Sequence, residues 1–290
     1  MTTGQPVSIA IGTLRELWVH TGTACNLSCP FCHEGSKPGD TRLEAPTLAE
    51  LAPLLTEAAA RGIEHFAFTG GEPLILKGIR DILLHALNLA PALVLTNGTA
   101  PFIRRSHHLA ELARAPHALS FRVSIDYPDE AQHDAGRGMK NFRKALEGLR
   151  LLHAAGFEVG VTRQITPGED AREVEATFRR LLRRQRLPED LPIVALPELG
   201  LPDEAANHAT STQASTSCTP VAACMTGRML LRRNGALRFH ACPLTDDAPR
   251  FDVGTTLEEA LAARVAPDHP RCARCLTAPG VDYAGRRISR

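Results

Sequence analysis

Residues 25–32 read Cys25-Asn26-Leu27-Ser28-Cys29-Pro30-Phe31-Cys32, three thiols at CxxxCxxC spacing after an apolar run (Leu17, Val19) and a Thr21-Gly22-Thr23 turn. A cube of four irons and four sulfides normally takes four thiolates. Three of them close together leave one iron open, and an open iron can bind a small molecule. The plainer readings are a structural zinc site or a disulfide. Zinc usually wants four protein ligands in CxxC pairs, and no fourth is obvious here, although His33 could be argued.

A second motif lies about forty residues further on. Thr69-Gly70-Gly71-Glu72-Pro73 follows the apolar stretch His65 to Phe68, which reads as a strand. Glycines let backbone approach a ligand closely, and Glu72 or nearby carbonyls can accept from an ammonium. Such a triplet alone is most often a turn. After CxxxCxxC and a strand, it resembles the GGEP stretch of the radical SAM superfamily. In that family the open iron holds the amino and carboxylate groups of S-adenosylmethionine, and one electron cleaves the sulfonium to methionine and a 5′-deoxyadenosyl radical. The resemblance implies that Cys25, Cys29 and Cys32 are the cluster ligands, that Phe31 lies near the adenine, and that Thr69 to Pro73 meets the amino group.

Composition sets the bounds. The chain has 290 residues, 43% of them hydrophobic, enough for one large domain or a barrel with a small appendage. A net charge of +1 argues against a broad nucleic-acid footprint. The Arg179-Arg180 and Arg183-Arg184 pairs read as a solvated helix face. There is no run of eighteen apolar residues and no secretory signal pattern, so neither a membrane span nor export is expected. Eight cysteines in such a chain read as metal ligands in a reducing cytoplasm.

Apolar periodicity predicts strands at Glu16–His20, His65–Thr69, Leu93–Thr96 (ending in Asn97-Gly98), Leu119–Ile125, Glu158–Ile165 and Leu191–Leu196. Helices are predicted at Thr47–Ala60, Ile79–Leu89, His107–Ala113, Phe142–Ala155 and Ala171–Gln185. This alternation means parallel strands under covering helices, an α/β fold. The family has a partial (β/α)6 TIM-like barrel, whose ligands sit at the C-terminal strand ends. The motifs fall there: Thr69–Pro73, Asn97, Ser124–Asp126, Arg163 and Glu198. By resemblance to the "SID…HD..RG" stretch of family members with cysteine-rich extensions, Ser124 would contact the SAM ribose or carboxylate. Asp126 would face SAM or substrate, and Arg163 would pair with the SAM carboxylate through its guanidinium fork. Their ordinary readings are a cap for the Phe142 helix (Asp126), a surface arginine (Arg163) and loop residues (His133, Asp134).

From Leu201 to Ser217 the composition turns to Ala, Ser, Thr, Asp and Asn, a linker or a lid. It divides a barrel over 1–200 from a module over 201–290. In that module Cys224 and Cys242 bracket a hairpin with an Asn234-Gly235 turn, a short helix follows at Thr256–Ala263, and Cys272-Ala273-Arg274-Cys275 comes next. The pattern resembles the Twitch subdomain, a shortened SPASM extension, and implies that Cys224, Cys242, Cys272 and Cys275 hold an auxiliary [4Fe–4S] cluster. A four-thiolate zinc site has the same spacing. Cys218 is left over: a hydrogen-atom donor, a small buried hydrophobe or a fifth candidate ligand.

The resemblance implies hydrogen abstraction from an unactivated C–H bond. The outcome is two-electron dehydrogenation if the auxiliary cluster accepts an electron, or epimerisation if Cys218 returns a hydrogen. Both suit an aminosugar or aminocyclitol, with Glu198, Asp203 and Glu204 as candidate ammonium partners or merely solvated carboxylates. The electron would come from a donor such as flavodoxin or ferredoxin. The alternative is a maturase of ribosomally made peptides. Only about fifteen residues precede the first predicted strand, too few for the leader-binding domain many maturases carry. From another class, the chain could be a non-catalytic metal scaffold.

Overall fold

All five residues of Glu16–His20 are buried, because this strand lies inside a sheet covered on both faces. Leu17 and Val19 join the large core under the helices, while Trp18 joins a smaller cluster with Leu43, Ala67, Leu93, Met229 and Leu231 on the opposite face. The computed structural model describes residues 8–197, 223–245 and 248–272. In chain order these form β1 (Ile9–Ala10), β2 (Glu16–His20), α1 (Leu48–Ala60), β3 (His65–Thr69), α2 (Ile79–Leu87), β4 (Ala92–Thr96), α3 (Ala100–Arg105), α4 (Leu109–Leu112) and β5 (Leu119–Ser124). They continue with α5 (Glu130–Arg137), α6 (Asn141–Ala154), β6 (Glu158–Gln164), α7 (Ala171–Arg184), β7 (Ile193–Leu196), β8 (Gly227–Arg233), β9 (Ala236–His240), β10 (Asp252–Gly254) and β11 (Arg264–Val265).

Among the described residues, strands β2 to β7 pair in parallel and in sequence order, the core of a partial barrel, and β7 and β10 stand at the two ends of the sheet. The helix ends follow local chemistry. Thr47 and Glu50 form a reciprocal capping box at α1, and Gly62 beyond its end has φ +81°. Among the described residues no helix is long and apolar enough to cross a membrane.

Two features differ from the sequence expectation. The segment after β4 begins its helix at Thr99-Ala100-Pro101, with proline in the first turn; only the single turn α4 falls where a helix was expected at His107–Ala113. Helix α5 carries the residues expected as a loop, with Asp129 accepting from Gln132 N at its N-cap. Its polar sequence hides it from periodicity, since only His133 and Asp134 are buried.

The C-terminal stretch belongs to the same sheet. β8 lies parallel to β2, and β9 and β10 extend it antiparallel, giving the order β10-β9-β8-β2-β3-β4-β5-β6-β7. Asn234 and Gly235 both have positive φ, as a two-residue hairpin turn requires. The expected boundary near residue 200 lies outside the described residues.

Candidate active site

The loop after β2 carries Cys25, Cys29 and Cys32, and all three line one cavity at the C-terminal ends of the parallel strands. The cavity opens to solvent at its mouth. The three cysteines are free thiols. Burial pushes Cys25 up to about 12, with Glu72 and the neighbouring thiols adding to it, and burial likewise raises Cys29 and Cys32. Such thiols ionise when a cation takes the charge. Leu27 N donates to Cys25 Sγ at 3.4 Å and Asn97 Nδ2 lies 3.9 Å from it, so donors already face the sulfur. Asn97 Nδ2 also donates to Asn26 Oδ1 at 2.9 Å, tying the end of β4 to the cysteine loop.

The glycines after β3 answer to the protein's own backbone. A Cβ on Gly71 would lie 2.3 Å from Ala24 O, and one on Gly70 (φ +127°) 2.7 Å from Gly22 O. Gly71 N and Glu72 N donate to Gly22 O and Ala24 O, so the two loops run in contact. Glu72 is buried, with its oxygens accepting from Leu74 N, Thr96 Oγ1 and Asn97 N. Burial raises its pKa against those donors. Its visible work is to lock β3 to β4; Gly70 and Gly71 line the cavity, whereas Glu72 and Pro73 stand behind it.

Phe31, Thr69, Asn97, Ser124, Asp126 and Arg163 also line this cavity. Asp126 accepts both guanidinium branches of Arg137, whose charge also faces the Phe31 ring 5.7 Å away. The ring packs so closely on α5 that a Cβ on Gly136 would lie 2.4 Å from it. Asp126 is therefore not the cap of α6; Asp134 fills that place, accepting from Lys140 N and Phe142 N. Arg163 is buried in a two-pronged pair with Glu169, at 2.9 Å for Nη1 and 2.5 Å for Nη2. Arg137, the arginine of the SID…HD..RG resemblance, also lines the wall, and so do Thr162 and Gln164, which were not singled out from sequence.

A second set of thiols gathers elsewhere. Cys224, Cys242 and Cys272 line one small cavity with Leu244, Phe251 and Arg271. Two buried arginines flank it. Arg228 donates to Cys224 O at 2.8 Å and to Ala241 O at 3.4 Å, and Arg271 donates to Leu244 O at 2.9 Å and to His33 O. Neither arginine was anticipated, because a lone arginine carries no spacing signal. Cys218, Cys275, Glu198, Asp203 and Glu204 lie outside the described residues. Among the described residues no three His, Cys, Asp or Glu side chains close on a single metal ion.

The sequence model of the Radical SAM superfamily matches residues 19–181, more than half the chain. The chain belongs to the radical SAM superfamily. A GTP 3′,8-cyclase of Mycolicibacterium smegmatis is 35% identical over 150 residues, 49% of this chain and 40% of the cyclase. The chain thus spans less than half of that relative's length. The fold resembles that of Streptococcus suis SuiB bound to its precursor peptide SuiA (TM-score 0.63, 13% identity, 86% of this chain and 64% of SuiB). It also resembles that of anSMEcpe with bound AdoMet (TM-score 0.60, 15% identity, 87% and 81%).

Membership of this superfamily implies S-adenosylmethionine and one [4Fe–4S] cluster, and the residues present fit both. Three thiols open onto one cavity, two N–H donors face Cys25, and the Arg137 charge bears on Cys29 and Cys32.

Proposed function

We propose that this radical SAM enzyme abstracts a hydrogen atom from a C–H bond of a polar small molecule of the aminosugar or aminocyclitol class, with a second iron–sulfur cluster in its C-terminal part. The carrying observation is the convergence of Cys224, Cys242 and Cys272 on one cavity between two buried arginines. Cys224 and Cys242 bear on the charge of the buried Arg228, and a buried cation favours a thiolate centre beside it. Cys275 is the proposed fourth ligand. The proposal also keeps the division near residue 200 and places the protein in a reducing cytoplasm.

Cys25, Cys29 and Cys32 would hold a four-iron cluster, which would supply the electron for cleavage of S-adenosylmethionine. The protein's own groups then orient and enclose. The Gly70–Gly71 backbone receives the ammonium of SAM, since the Glu72 oxygens already accept three donors. Phe31, clamped between Gly136 and Arg137, offers its face to the adenine. Ser124 reaches the ribose or carboxylate, and Arg163 holds the carboxylate from its pair with Glu169. Asp126, steadied by Arg137, faces the substrate. Glu198, Asp203 and Glu204 are proposed to take its ammonium groups, and a reductant such as flavodoxin or ferredoxin supplies the electron. An electron-accepting second centre would make the net change a two-electron oxidation; hydrogen returned by Cys218 would make it an epimerisation. The barrel shared with a SuiB–precursor peptide complex keeps peptide maturation as the second reading.

The test is iron and sulfide content after anaerobic reconstitution, followed by reaction in deuterated water. About eight irons per chain, falling to about four in the Cys224/Cys242/Cys272→Ala variant, supports two four-iron clusters. Four irons with zinc retained removes the auxiliary cluster. Deuterium at one product carbon, lost in Cys218→Ala, selects epimerisation; a product two hydrogens lighter selects oxidation.

A further inference from the structure

The two cysteine sites meet at one side chain. Arg271 is 1% exposed and directly precedes Cys272. One guanidinium nitrogen, Nη1, donates to Leu244 O, and Leu244 N in turn donates to Cys242 Sγ at 3.4 Å. The other, Nη2, donates to His33 O, the carbonyl of the residue that follows Cys32. A single planar cation therefore spans from the second cysteine set to the loop that holds the first.

The loop is prepared for that contact. Arg42 donates to Glu34 O, and His20 Nε2 lies 2.9 Å from the buried Glu34 carboxylate. The segment after Cys32 is thus gripped from three sides, by β2, by its own loop and by the C-terminal part. Only the last grip is attached to a second thiol site.

We propose that Arg271 is a positioning residue that couples the two sites: filling the C-terminal site seats its guanidinium, which in turn sets the position and the electrostatic environment of the cluster held by Cys25, Cys29 and Cys32. This rests on the two-cluster reading above. A cation near a thiolate cluster favours its reduced, more negative state, so the same contact raises the midpoint potential of the SAM-binding cluster.

The experiment is an EPR-monitored redox titration of the SAM-binding cluster in wild type, Arg271→Met, Cys272→Ala and the double variant, each with its iron counted. Arg271→Met is expected to keep about eight irons and to lower the midpoint potential of the SAM-binding cluster. Cys272→Ala is expected to lower it too, and the double variant to add nothing further, because both act through one contact. An unchanged potential in Arg271→Met at full iron content overturns the coupling. If Arg271→Met does not fold, Arg271→Lys decides: it keeps the charge and loses the fork, so a potential below that of wild type is expected, and a wild-type potential overturns the proposal. Wild type holding only about four irons rejects the auxiliary cluster instead, and a lowered potential in Arg271→Met would then still stand for the first site alone.

Discussion

The two cysteine sites are built in opposite ways. Cys25, Cys29 and Cys32 sit within eight residues on one loop, so chain connectivity alone keeps them together. Cys224, Cys242 and Cys272 come from the helix before β8, the turn after β9 and the segment after β11, and only the folded sheet unites them. The first needs little charge compensation beyond N–H donors and Arg137; the second has two arginines buried beside it. A local site can form early and tolerate loosened surroundings, whereas an assembled site should fail whenever its scaffold does.

The largest break of this contrast is removal of one set at a time. Cys25/Cys29/Cys32→Ala should abolish 5′-deoxyadenosine formation and leave the other cluster's iron in place, read by iron analysis and chromatography. Next, Arg228→Met should strip iron from the C-terminal site while about four irons remain at the loop site, with deoxyadenosine formed but little product. A retained full complement would show that the assembled site is as robust as the local one. A smaller effect is expected from Gly71→Ala. Its Cβ would meet Ala24 O at 2.3 Å, so the two loops must part, costing about 1–3 kcal/mol in chemical denaturation and weakening SAM binding without changing the C-terminal iron.

The smallest lies in the cavity wall. Burial raises the Glu169 carboxyl, but the Arg163 bonds and Thr166 N outweigh it and hold it below its ordinary value. A depressed folded value gives stability that is complete above about pH 4.3 and drains away as pH falls through the folded value. Glu169→Gln should therefore cost about 2 kcal/mol at pH 7, the difference from wild type shrinking in unfolding curves below pH 4, with both iron counts unchanged.

What could be read in advance follows the same division. Strands Glu16–His20 and His65–Thr69 end where their apolar runs end, and the loop thiols declare themselves by spacing. Interactions between distant segments left no trace in a single sequence. The motif named Asp126 and Arg137 without showing that they pair, and the Arg271 contact with His33 spans 238 positions. The parallel pairing of β8 with β2 is equally silent, since an Asn-Gly hairpin announces its own turn and says nothing of its neighbour. The glycines at 70 and 71 were recognised, but what demands them is a neighbouring backbone 2.3–2.7 Å from any added Cβ.

That pairing bears on how the chain is made. The outer edge of β2 is covered by a strand about 210 residues downstream. At roughly 5–20 residues per second, a ribosome needs about ten to forty seconds to deliver it. Throughout that interval Leu17, Trp18 and Val19 lie on a bare hydrogen-bonding rim, the kind that recruits strands from other chains. Crowded polysomes and overexpression should turn this rim into the seed of inclusion bodies, and slowing initiation should recover soluble protein more effectively than slowing elongation.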